Sequence, residues 1–91
     1  MEKIAVIAGV GPGLGTALAR KFVAEECNVA LLSRSSDYIE NLSTELEKSG
    51  RTALLIPTDI TEPEQVAQTF ERIREELGDP DILVNNGHSF S

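Results

Sequence analysis

The feature that most constrains this chain is a rhythm: four short, unbroken apolar runs separated by three longer stretches of helical periodicity. The runs are Ile4–Ala8, Val29–Leu32, Ala53–Ile56 and Ile82–Val84. A strand with one face in water alternates apolar and polar residues, so unbroken runs predict strands covered on both faces, as in a parallel sheet. Between them, Leu14, Leu18 and Phe22 recur every four residues with Ala17 beside them, as do Tyr38, Leu42 and Leu46. Val66, Phe70, Ile73 and Leu77 form a third apolar stripe, and each of the three predicts an amphipathic helix. Thr61 and Glu64 have the spacing of a capping box, with Pro63 in the first turn, while Gly50 and Gly78 stand where helices stop. Asp37, with Glu40 three residues on, has the spacing of a cap for the second helix.

The order is therefore β-α-β-α-β-α-β. Right-handed crossovers predict a Rossmann-type, three-layer α/β half-domain with a parallel sheet in the order 3-2-1-4. The first two helices lie on one face and the third on the other. Pro57 fits a third strand at the sheet edge, where a missing donor is tolerated. The 91 residues make one domain, residues 1–91, with no internal linker or repeat.

Composition narrows the function. Fifteen acidic residues against eight basic ones give a net charge of −7, which argues against nucleic acid as a partner, since its phosphates are met by Lys and Arg. No apolar stretch approaches the roughly 20 residues needed to cross a bilayer, and the lone Cys27 has no internal disulfide partner. The expectation is a cytoplasmic protein with no membrane partner. No cluster has metal-ligand spacing.

Four of the seven glycines fall in Gly9-Val10-Gly11-Pro12-Gly13-Leu14-Gly15, directly after the first strand and at the start of the first helix. Glycines there let the backbone turn sharply and approach a pyrophosphate, while the helix start turns free N–H groups toward it. No Lys-Ser/Thr pair follows, which excludes a triphosphate P-loop. Strand 2 ends in Ser33-Arg34, where an NAD-selective site places an acid for the ribose hydroxyls. A neutral hydroxyl and a guanidinium favour a 2′-phosphate, and hence NADP(H) over NAD(H). The missing acid also disfavours a methyltransferase.

The spacing Gly9-x-x-x-Gly13-x-Gly15 resembles the glycine motif of the short-chain dehydrogenase/reductase family. Asp59-Ile60 resembles the pair that contacts adenine in that family, and Asn85-Asn86-Gly87 resembles its Asn-Asn-Ala-Gly motif. The resemblance implies a dinucleotide site built from the glycine loop, Ser33, Arg34, Asp59, Ile60, Asn86 and Gly87. It also implies hydride transfer between carbonyl and alcohol in the complete family fold. Three departures stand out: Ala8 replaces a Thr, His88 replaces the last Gly, and Glu26-Cys27 replaces Gly-Ala. The last of these leaves Glu26 or Asn28 to take the left-handed conformation.

The Ser, Tyr and Lys that carry the family's proton chemistry lie beyond its Asn-Asn motif, so no residue of this chain is assigned a catalytic role. Tyr38 belongs to an apolar helix face, and His88 and Cys27 are read as ordinary loop and helix-end residues. Two expectations remain: the cofactor-binding portion of an oxidoreductase, or a non-catalytic nucleotide-binding or assembly module. An unpaired fourth strand, Ile82, Leu83 and Val84, predicts self-association through that edge.

Overall fold

The computed structural model describes residues 3–9, 14–34 and 36–85, with the backbone alone described at residues 14, 15 and 36–39. Four strands alternate with three helices: β1 (Ile4–Ala8), α1 (Leu14–Ala24), β2 (Asn28–Ser33), α2 (Ser36–Glu47), β3 (Ala53–Pro57), α3 (Pro63–Glu76) and β4 (Ile82–Asn85). All pairings are parallel and the strand order is β3-β2-β1-β4. The expected architecture is thus the observed one, with Pro57 on the edge strand opposite Ser33.

Successive side chains on a strand point to opposite faces, and two cores result from that alternation. Ala5, Ile7, Val29, Leu31 and Ala53 face one way and meet Ala19 and Val23 of α1 and Leu42 and Leu46 of α2. Ile4, Val6, Ala8, Ala30, Leu32 and Ile56 face the other way and meet Ile73 of α3. The central strands are buried on both sides, which is why their sequences never alternate with polar residues.

The helix faces differ from the predicted stripes in instructive ways. On α1 the buried residues are Thr16, Ala19 and Val23, while Leu18 and Phe22 are half-buried at the margin and Ala17 is exposed. The small Ala19 is fully buried in the core shared with the sheet, and the larger Leu18 and Phe22 pack against it, partly buried. On α2, Ser43 is buried and its hydroxyl donates to the Ala53 carbonyl at 2.8 Å, tying helix to edge strand. The helix already begins at Ser36, so Asp37 lies inside its first turn and not ahead of it as a cap. On α3, Thr69 and Ile73 are buried, whereas Val66, Phe70 and Leu77 are only half-buried. Accordingly α1 and α2 lie closer to the sheet than α3 does.

Helix ends obey known chemistry with two surprises. Glu26, not Asn28, takes the left-handed conformation (φ 68°). The Glu26 amide donates to Val23 and the Cys27 amide to Phe22, both at 2.9 Å, which is the Schellman pattern usually built on glycine. A side chain in that conformation costs about 1–2 kcal/mol. Asn28 instead starts β2, and its side-chain oxygen accepts the Thr52 amide at 2.9 Å. The capping box does not form either. The N-cap of α3 is Glu62, with no side-chain bond, followed by Pro63 at the first helical position. Thr61 is drawn away because both its amide and its hydroxyl donate to the Asp59 carboxylate.

Two surface contacts join elements on the α1/α2 side. Arg20 of α1 forks onto Glu45 of α2 at 2.7 and 3.1 Å, and Arg51 reaches Glu26 at 3.3 Å. At the other end of the sheet, Ile4 and Asp81 exchange two bonds at 2.9 Å each. The turn before β4 uses Gly78 at φ 121°, where a Cβ would meet Ile4 Cδ1 at 3.1 Å.

Candidate functional site

The carboxyl ends of β1, β2 and β3 converge because the strands are parallel and in near register, and the expected site residues that the structure describes gather there. Gly9 leaves β1 with φ 80°, a conformation open to glycine with little cost. Its amide donates to the Leu32 carbonyl at 2.9 Å, which holds the turn against β2. Ser33 ends β2 with its side chain buried, and Arg34 comes after it, exposed. The Thr58 amide donates to the Ser33 carbonyl at 2.8 Å, so the chain leaving β3 stays beside the chain leaving β2. Asp59 and Ile60 come next, both half-buried. Leu14 and Gly15 open α1. Val10, Gly11, Pro12, Gly13, Asn86 and Gly87 lie outside the described residues, as does His88.

Asp59 is the most constrained of these groups. Its Oδ1 accepts the Thr61 hydroxyl at 2.6 Å and the Thr61 amide at 3.0 Å. The second bond closes a turn in which an Asp side chain stands in for a backbone carbonyl. The Asp59 carbonyl accepts the Glu62 amide at 3.0 Å, and the Asp59 amide donates to the Gln65 side-chain oxygen at 2.9 Å. The two Thr61 bonds hold the Asp59 carboxyl below its ordinary range, and the positive charge of Arg34 lowers it further. Arg34 and Asp59, 25 residues apart in sequence, are therefore electrostatic neighbours at the sheet edge, and Asp59 stays ionised.

Beneath this turn lies a second layer. The buried Thr58 hydroxyl is within 3.0 Å of the Ile56 carbonyl and 2.8 Å of the Thr69 hydroxyl. A hydroxyl has one proton. Thr58 gives its proton to Ile56, so Thr69 is the donor to Thr58. Sequence reasoning missed Thr58, Gln65 and Thr69 as supports of the site, and misassigned Thr61. The order Asp-x-Thr, typical of such a side-chain turn, was the available signal for Thr61.

Beside Ile60, on the α3 face, opens a cleft of about 160 Å³ whose walls include Ala8, Leu32, Phe70, Leu83 and Asn85. Leu83 is 59% exposed, the one large apolar side chain so exposed among the described residues. Cys27 is buried. Among the described residues no group of three or more His, Cys, Asp or Glu could hold a metal ion, and no helix is long and apolar enough to cross a membrane.

A parallel sheet in the order 3-2-1-4, with a glycine turn after its first strand and a charged pair beyond the next two, defines a Rossmann-type α/β domain. Residues 3–88 match the family described as short chain dehydrogenase. The chain belongs to that family. Among curated proteins it is similar to the glycine betaine reductase ATRR of Emericella nidulans, 39% identical over 82 residues that cover 90% of this chain and 6% of that protein. Among solved structures it is similar to the L-sorbose reductase of Gluconobacter frateurii complexed with NADPH and L-sorbose. That match has a TM-score of 0.88 and 36% identity, over 94% of this chain and 33% of the other. It also resembles an NAD+-bound xylitol dehydrogenase, with a TM-score of 0.84 and 26% identity, over 89% of this chain and 31% of that one. The chain spans about a third of the length of other curated relatives it matches.

Proposed function

We propose that this chain is the NADP(H)-binding portion of a short-chain dehydrogenase/reductase-type oxidoreductase that works in the cytoplasm. The observation that carries the cofactor reading is the exposed Arg34 at the end of β2, beside Asp59 and next to the strand pinned by Gly9. Arg34 offers a planar fork to a 2′-phosphate, where an acid would repel it. Asp59, held ionised, offers an acceptor to the adenine amino group, and Ile60 and the adjoining cleft offer an apolar wall to the ring. Gly9, Val10, Gly11, Pro12, Gly13, Leu14 and Gly15 would take the pyrophosphate, Ser33 the adenosine ribose or its phosphate, and Asn86 and Gly87 the far side. When bound, the dinucleotide supplies or accepts a hydride, and these residues orient it. A relative complexed with NADPH supports the reading. A relative bound to NAD+ makes the 2′-phosphate contact the discriminating feature.

The test is calorimetry with both cofactors. Arg34→Ala should weaken NADPH binding by about 1.5–3 kcal/mol, the range for a hydrogen bond to a charged group, and leave NADH nearly unchanged. Equal losses for the two would show that Arg34 does not read the phosphate.

The same chain presents Leu83 and the outer edge of β4, which pairs only with β1 among the described residues. That combination supports self-association, with β4 of one copy alongside β4 of another in a symmetric pair.

A further inference from the structure

The face of α3 turned toward the end of β3 contains two polar residues that bond the loop, the exposed Gln65 and the buried Thr69. Gln65 and Thr69 are four residues apart and hence on one side of the helix. They grip consecutive residues of the loop that leaves β3: Thr69 bonds the Thr58 hydroxyl at 2.8 Å, and Gln65 accepts the Asp59 amide at 2.9 Å. Gln65 is the third residue of the helix after the N-cap Glu62. In a capping box the side chain at that position returns to the N-cap amide. Here it reaches three residues further back and leaves the N-cap amide to the Asp59 carbonyl. With Thr61 bonding Oδ1 twice, every polar group of Asp59 but Oδ2 has a hydrogen-bond partner among the described residues.

We infer that Gln65 is a positioning residue for the cofactor's adenine: by fixing the Asp59 amide it aims the Oδ2 of Asp59 at the adenine amino group. The inference rests on the cofactor reading above and adds to it a residue outside the glycine, Ser-Arg and Asp-Ile positions. Thr61 determines which carboxylate oxygen is taken. Gln65 determines where the backbone carrying that carboxylate stands. Without the Gln65 bond, the plane of the Thr58–Asp59 peptide is free to tilt through its flanking torsions while Asp59 keeps its Thr61 bonds, and the carboxylate shifts with it.

Two substitutions and two readouts separate positioning from mere helix support. Gln65→Met keeps length and helix propensity but loses the acceptor, and Gln65→Glu keeps an acceptor. Amide hydrogen exchange at Asp59 reports the bond itself. Titration with NADPH and with adenosine 2′,5′-bisphosphate reports recognition of the adenosine half. Gln65→Met should speed exchange at Asp59 and weaken both ligands by about three- to tenfold, as loss of one hydrogen bond predicts. Gln65→Glu should restore slow exchange and binding to within about twofold of the parent. Faster exchange in Gln65→Met with unchanged affinity for both ligands would overturn the inference and leave the cofactor reading standing. If the parent chain binds neither ligand, the cofactor reading falls and takes this inference with it.

Discussion

The two faces of the sheet are built by different means. On the α1/α2 face the helices come in close, with Ala19 fully buried in the shared core. Small polar residues stitch the rest: Thr16 is buried, and Ser43 bonds the Ala53 carbonyl. Arg20 and Glu45 then join the two helices on the outside. On the opposite face α3 stands further off, propped by Ile73, Phe70 and Leu77, and covers β4 only in part: Leu83 shares the cleft wall with Phe70 yet stays exposed. Close packing leaves little room to adjust. A propped helix can shift by fractions of an ångström to accommodate a change beneath it. The cleft beside Ile60 opens on the α3 face.

That contrast can be broken most directly in the core. Leu31 and Ile73 are both fully buried, one under the close-packed helices and one in α3. Truncations to alanine span about 2–5 kcal/mol depending on how far the surroundings collapse. Leu31→Ala should fall near the top of that range and Ile73→Ala near the bottom, in urea unfolding monitored by circular dichroism. Equal losses would mean that α3 is as rigidly seated as its counterparts.

A smaller effect is expected at the open end. Leu83→Lys should change stability by no more than about 0.5 kcal/mol, as for most exposed positions, while shifting any self-associated form toward monomer in sedimentation velocity. A large loss of stability in a monomeric chain would show that Leu83 is covered from within.

The smallest effect concerns acid. Because the Thr61 bonds, and then Arg34, depress the Asp59 carboxyl, its contribution to stability is complete above the ordinary carboxylate range. That contribution is lost as pH falls through the lower value of the folded state. Glu45, depressed mainly by its bond to Arg20, behaves the same way on the closed face. Carbon-detected titration should place the Asp59 midpoint below that of an unstructured Asp, and Thr61→Val should raise it. An unchanged midpoint in Thr61→Val would show that the hydroxyl bond is not the main cause of the shift, leaving it to the Thr61 amide and Arg34.

The fold was legible because parallel strands buried on both sides write themselves as unbroken apolar runs; Ile4–Ala8 needed no other information. What misled was the phase of α1. Counting Ala17 as apolar and Thr16 as polar puts the stripe about a residue off, since burial under a close helix selects for size as much as for polarity. The site divided in the same way. Glycine, Arg34 and Asp59 are visible as residue types at a spacing. Their supports Thr58, Gln65 and Thr69 became visible only when β3 and α3 were brought together, because nothing local requires a glutamine six residues after an aspartate. Thr61 shows competition between two local motifs. Its hydroxyl could cap a helix or join its own amide on the Asp59 carboxylate, and the nearer carboxylate won.

The clamp between Ile4 and Asp81 has a consequence in time. The central strand β1 is flanked by β2, 24 residues on at Asn28, and by β4, whose anchor Asp81 is 77 residues on. Loop-closure entropy makes the second union about 1 kcal/mol harder than the first, and on a ribosome β4 emerges after the other three strands. The strands β1, β2 and β3 can therefore assemble while the chain is still being made, with β4 arriving as a latch. Stopped-flow chevrons of Asp81→Ala would read this order. A change confined to the unfolding limb marks β4 as a late arrival, and a slowed refolding limb would put the latch in the nucleus.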